Sequence, residues 1–102
     1  MSELKRICAL RDLPECKTYP VTVGNLDIVL VRQGDQVFAL EDCCTHQDFP
    51  LSQGEVSSGR LRCRAHGAEF SLKSGAAKRP PAYVPVRTYE VTVAGSDVFL
   101  DV

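Results

Sequence analysis

The chain has 102 residues, a formal net charge of −1 and 25% charged positions. That length supports one modest core and leaves no room for a second catalytic domain. A total so close to neutral argues against nucleic acid or an anionic membrane as the main partner.

Met1 to Arg11 carries Glu3, Lys5, Arg6 and Arg11, and no apolar run there reaches the length of a signal sequence or a membrane span. A cytoplasmic protein is expected. Cys8 lies in an apolar stretch and reads as core, whereas Cys16, near Pro14 and Lys17, reads as an exposed turn thiol. Leu26 to Val31 and Gln36 to Leu40 are β-rich runs, and Gln33-Gly34-Asp35 between them is hairpin chemistry, because glycine adopts positive φ at little cost. Farther on, Leu61 and Cys63 fall on one strand face and Arg60, Arg62 and Arg64 on the other, as expected where one side is buried and the other wet. Val84 to Val93 alternates apolar and polar residues, and Gly95-Ser96 turns it into Val98 to Val102, a second expected hairpin. Prolines at 14, 20, 50, 80, 81 and 85 and seven glycines interrupt the chain so often that no long helix fits. The pattern predicts a single all-β domain over residues 1–102, with no repeat, low-complexity tract or linker.

The five cysteines are an odd number in a chain without an export signal, which favours metal ligation or thiols over a disulfide framework. The two histidines each follow closely after a cysteine: Cys44-Thr45-His46 and, after sixteen intervening residues, Cys63-Arg64-Ala65-His66. Two thiolates and two imidazoles make a four-ligand site suited to zinc or to iron–sulfur chemistry rather than to magnesium or calcium. Structural zinc sites usually group like with like, as Cys-x2-4-Cys and His-x3-5-His, whereas here each loop supplies one of each. If the two cysteines bind one iron and the two histidines the other, each loop straddles both metals and the pair clasps a cluster between them.

At this point the sequence resembles the Rieske family, whose pattern of Cys-x-His, a spacer of about this length and Cys-x-x-His is matched by Cys44, His46, Cys63 and His66. Leu51-Ser52-Gln53-Gly54, His66-Gly67-Ala68-Glu69-Phe70, Gly75, Pro80-Pro81-Ala82, Asp12-Leu13-Pro14 and the closing segment from Val84 to Val102 are also placed as in Rieske ferredoxins. The resemblance implies an antiparallel β-sandwich with a cluster-binding subdomain of two loops, at about residues 42–54 and 62–82. It implies a [2Fe–2S] cluster on those four ligands, and a cytoplasmic, monomeric one-electron carrier with no substrate turnover of its own. Such ferredoxins pass electrons from an NAD(P)H-dependent flavin reductase to a terminal ring-hydroxylating oxygenase in aromatic hydrocarbon catabolism. The alternatives are a Rieske-like small subunit of an NAD(P)H nitrite reductase and a zinc-stabilised interaction module.

Other residues take their expected roles from the same resemblance. Cys43 would break the loop spacing as a ligand and reads as an inert neighbour. Gly54, Gly59 and Gly75 read as turn residues, while Gly67 would let backbone approach the cluster closely, where amide N–H groups stabilise the reduced state. Pro80 and Pro81 would belong to a loop that covers the cluster. High-potential members carry a further cysteine in each loop, which pair as a disulfide, and a serine and a tyrosine hydrogen-bonded to the cluster. The matching positions here are Phe49, Ala65, Ala68 and Phe70. None of these provides either effect, so the low end of the Rieske range, near −150 mV, is expected, with the outer imidazole edges giving an electron exit and a pH-dependent potential. Arg64, beside Cys63, would push that potential slightly upward. Finally, residues 60–87 hold seven Lys/Arg against the single Glu69, and the stretch before them nine acidic residues against five basic. This basic segment reads either as solvated surface or as a docking face for an acidic redox partner.

Overall fold

The computed structural model describes residues 4–44, 49–64, 67–80 and 84–102. Its strands, in chain order, are β1 (Leu4–Ala9), β2 (Thr18–Val23), β3 (Leu26–Gln33), β4 (Gln36–Glu41), β5 (Glu55–Ser57), β6 (Arg60–Arg62), β7 (Glu69–Ser71), β8 (Ala77–Arg79), β9 (Thr88–Tyr89), β10 (Val91–Ala94) and β11 (Asp97–Asp101). Two short 3-10 turns, Leu10–Asp12 and Leu51–Gln53, are the helical pieces among the described residues. The strands pair antiparallel in three sheets, ordered β1-β11-β10, β2-β3-β4-β9 and β5-β6-β7-β8. The all-β sandwich expected from the sequence is therefore the fold. Among the described residues no helix is long and apolar enough to cross a membrane.

The arrangement follows from β3, in which Ile28, Val29, Leu30 and Val31 are all fully buried. Strand alternation sends Ile28 and Leu30 into one core with Cys8, Leu13, Val98 and Leu100. Val29 and Val31 point the other way, into a second core with Leu40, Leu61 and Phe70. The sheet containing β3 is thus the middle layer, covered on both faces, and its central strand is a continuous apolar run for that reason. Burying each such side chain contributes about 1.5–3 kcal/mol relative to leaving it exposed. Pro20 is tolerated in β2 because that strand lies at the edge of its sheet.

The first expected hairpin forms. Gln33 pairs with Gln36, leaving Gly34-Asp35 as a two-residue turn with Gly34 at φ +61°. The second forms between β10 and β11 across Gly95-Ser96. The strand expected over Val84 to Val93 is corrected, however. Thr88–Tyr89 pairs with β4 in the middle sheet, Val91–Ala94 pairs with β11 in another, and the chain changes sheets at Glu90. Residues 84–87 belong to no strand, since Pro85 has no N–H to donate and Val86 donates its own to the Gly75 carbonyl at 3.0 Å. Both sheets need alternating side chains, so the alternation runs through the switch without marking it.

The third sheet carries the candidate site. Val56, Leu61, Phe70 and Ala77 oppose one another across its four strands and join the second core. The register that buries this row places Glu55, Arg62, Glu69 and Arg79 on the opposite, outer face.

Candidate metal centre

Two loops leave the sheets next to the second core, and each begins at a cysteine. The first follows β4. Cys43 donates its N–H to the Glu41 carbonyl at 2.9 Å, and Cys44 donates to the Phe49 carbonyl at 2.9 Å, closing a loop over 44–49. The Ser52 N–H donates to Asp42 Oδ1 at 2.7 Å, and the Ser52 carbonyl accepts from Thr18 Oγ1 at 2.6 Å, so the return of this loop is tied to β2. The second follows β6. Cys63 donates its N–H to the Ala68 carbonyl at 2.6 Å, and Gly67 donates to the Cys63 carbonyl at 3.0 Å. In both loops a cysteine amide bonds to the carbonyl five residues on, although the Cys-to-His spacings differ by one residue.

Cys44 and Cys63 are 2% and 1% exposed and belong to the same apolar cluster, with Leu51 and Phe70 beside them and Phe49 packed against it. The expected alternation around Leu61 and Cys63 holds, both being buried while Arg60, Arg62 and Arg64 are exposed. None of the five cysteines forms a disulfide. Two buried thiols without a disulfide in one apolar cluster are the soft donors that an iron–sulfur centre takes, and such surroundings hold water and its dielectric away from whatever they bind. The other two expected ligands, His46 and His66, lie outside the described residues, and among those described no group of three or more His, Cys, Asp or Glu side chains could hold a metal. Ala65, Pro81 and Ala82 also lie outside them, while Pro80 directly follows β8 and is exposed.

Cys8 and Cys16 sit as expected. Cys8 is buried in the first core, where burial first and the Asp12 carboxylate second raise its thiol pKa. Cys16 is exposed at φ +57°. Cys43 is half-buried with its Sγ 3.7 Å from the Cys44 carbonyl oxygen. Gly59 is a turn residue as expected, with φ +74° and open space around it. Gly54 closes the Leu51–Gln53 turn, its N–H donating to the Leu51 carbonyl at 2.9 Å, but there the φ is an ordinary −85° and glycine is required because the Arg62 carbonyl oxygen occupies the place of a side chain. Gly75 combines a φ of +74° with close backbone approach at the Val86 carbonyl. Gly67 takes φ +75° with its amide engaged in closing the loop, and a Cβ there would lie 3.2 Å from an Arg62 guanidinium nitrogen. This packing of Arg62 over the second loop was not legible in the sequence, since nothing in a strand pattern reports where a long exposed side chain lies down.

A cleft of about 450 Å3 opens here, with Cys63, Arg62, Arg64 and Glu55 in its wall. A second cleft shares Arg62 and Glu55 and extends to Arg60 and Glu69.

The family model for the Rieske [2Fe–2S] domain matches residues 3–90. The ferredoxin component of biphenyl 2,3-dioxygenase from Rhodococcus jostii (strain RHA1) is 36% identical over 98 residues, 96% of this chain and 92% of that one. Among solved structures, the ferredoxin of carbazole 1,9a-dioxygenase from Nocardioides aromaticivorans IC177 superposes with a TM-score of 0.92 at 28% identity, over 95% of each chain. A chain from the complex of reduced oxygenase and oxidized ferredoxin in carbazole 1,9a-dioxygenase does so with a TM-score of 0.90 at 31% identity, covering 96% of this chain and 92% of that chain.

Proposed function

The chain belongs to the Rieske [2Fe–2S] domain family, and from that premise we propose that it carries single electrons to a terminal oxygenase, with Cys44, His46, Cys63 and His66 holding the cluster. It is a ferredoxin with a Rieske-type [2Fe–2S] cluster and an electron-transfer component rather than a catalytic subunit. The bound cluster supplies a one-electron couple, and two imidazoles in place of two thiolates make that couple easier to reduce than an all-cysteine one. The protein's own residues do the rest. Cys44 and Cys63 offer thiolates from within the second core, and the hydrogen bonds from their N–H groups to the Phe49 and Ala68 carbonyls hold the two loops closed. Leu51, Leu61 and Phe70 exclude water behind them.

The observation that carries the ligand assignment is the burial of two unbridged cysteines, one from each loop, in a single apolar cluster. The whole chain, residues 1–102, then works as one cytoplasmic, monomeric domain, with its ligand loops at about 42–54 and 62–82. Its donor would be an NAD(P)H-dependent flavin reductase and its acceptor an aromatic-ring-hydroxylating oxygenase. This reading rests on the ferredoxin–oxygenase complex among the similar structures and on the biphenyl dioxygenase component among the relatives. A nitrite reductase small subunit is the less supported alternative, and copurification with a large catalytic subunit would favour it.

Anaerobically purified protein is expected to hold two irons and, when reduced, to give a Rieske EPR signal. Cys44→Ser removes both iron and signal, whereas Cys43→Ser keeps them. The reverse pattern would reassign the ligand, and a redox-silent metal would end the electron-carrier reading.

A further inference from the structure

Resting on the electron-carrier reading, we infer that the outer face of the β5–β8 sheet is the surface on which a carboxylate-rich patch of a protein redox partner docks. The register that buries Leu61 and Phe70 turns Arg62, Glu69 and Arg79 outward in one row, with Glu55 at its end and Arg60 in the neighbouring row. Arg64 joins Arg62 in the wall of the first cleft, so the arginines from 60 to 64 border one continuous pair of clefts. Four guanidinium groups (60, 62, 64 and 79) face two carboxylates (55 and 69), a net of +2 on a molecule whose total is −1, so the rest carries −3. That separation gives the molecule a dipole whose positive end is this face.

Charge alone would describe any basic strand, and two further features make this face a docking surface. Glu69 binds Arg60 and Arg79 at 3.3 Å each, which spaces those side chains across three strands, while Arg62 and Arg64 have no ion pair among the described residues. Two forks of five donors that make no ion pair among the described residues, beside two braced ones, match a cluster of carboxylates better than they match an isolated ion. The location is the second feature. Arg62 and Arg64 flank Cys63 in the chain and line the same cleft with it, so a partner seated on this face lies against a loop that holds the cluster. Of the seven basic residues between 60 and 87, Lys73, Lys78 and Arg87 take no part. The docking segment suggested by sequence narrows to a sheet face.

The charge an approaching molecule meets is measurable with small redox probes and no partner. Reduced holoprotein passes one electron to hexacyanoferrate(III), giving hexacyanoferrate(II), and the second-order rate is followed by stopped flow from about 0.01 M to about 0.15 M ionic strength, where the screening length falls from about 30 Å to about 8 Å. If electrons leave beside the arginine face, the trianion is attracted and its rate falls about tenfold as salt is added. The tricationic tris(phenanthroline)cobalt(III) gives the opposite slope. If the net charge governs, the trianion is repelled and its rate rises with salt, and that result, or a flat one, overturns the inference. Poly-L-glutamate, a redox-inert stand-in for the partner's patch, should slow the hexacyanoferrate reaction at low salt. In the Arg62→Gln/Arg64→Gln variant with an unchanged EPR signal, both the salt slope and this competition should shrink. Failure of poly-L-glutamate to compete, or an unaltered slope in the variant, also counts against it. A missing Rieske signal would instead defeat the electron-carrier reading itself.

Discussion

Gly54 and Gly59 stand at the two ends of β5, and a side chain placed at each would meet opposite conditions. At Gly59 the φ of +74° is the obstacle and there is nothing nearby to strike. At Gly54 the backbone is ordinary and the obstacle is the Arg62 carbonyl oxygen, one residue before Cys63. Asparagine separates the two cases because it enters the left-handed region readily. Gly59→Asn is expected to leave stability within about 0.5 kcal/mol. Gly54→Asn should cost about 1–3 kcal/mol by overpacking and displace the strand leading into the second ligand loop. Urea titrations of the two variants, followed by cluster absorbance, give the comparison. The sequence marks both residues only as glycine. Which constraint each satisfies depends on what the fold brings within reach of it.

At the scale of elements, the β5–β8 sheet is short-stranded and is fastened from both sides. Its inner row packs into the second core, and on its outer face Glu69 ties β7 to β6 through Arg60 and to β8 through Arg79. The hydrogen bond from Arg60 is the main cause of a Glu69 pKa below the usual glutamate range, with that from Arg79 adding to it. A carboxyl whose pKa is lowered by folding contributes stability above its unfolded pKa and loses it as pH falls through the folded value. The stability difference between the native protein and Glu69→Gln should therefore be fully present at neutral pH and disappear in acid. Arg60 and Arg79 are exposed and Glu69 is partly so, and added salt should therefore shrink it too. Urea denaturation across pH 3 to 7 checks this, and a difference that grew in acid would refute it. The alternation around Leu61 announced from sequence which face of β6 is buried, though not its partners in the row. The pairing of Glu69 with two arginines from flanking strands was not legible, because strand register is a tertiary outcome.

For the molecule as a whole, the measurable quantity is the midpoint potential. Ala68 and Phe70 are fully buried beside Cys63 and carry no hydroxyl, and Phe49 packs against the same cluster without a thiol. These positions lack the hydrogen bonds and the disulfide of high-potential relatives, so spectroelectrochemistry of the holoprotein should give a value near −150 mV, the low end for Rieske centres. A value above about +100 mV would mean that another donor or charge sets it. The sequence by itself determined the all-β class, both hairpin turns, the Cys and His spacing that leads to the family, and the burial of Cys63, because each is written in local periodicity or in neighbouring residues. Tertiary structure alone decided the rest. The middle sheet's two buried faces, the change of sheet at Glu90, the packing of Cys44 and Cys63 into one apolar core, and the arrival of Glu69 and Arg79 beside the arginines of β6 all depend on pairings between separate segments of the chain. Local pattern carries no record of such meetings. They are selected by which apolar surfaces can be buried together at once.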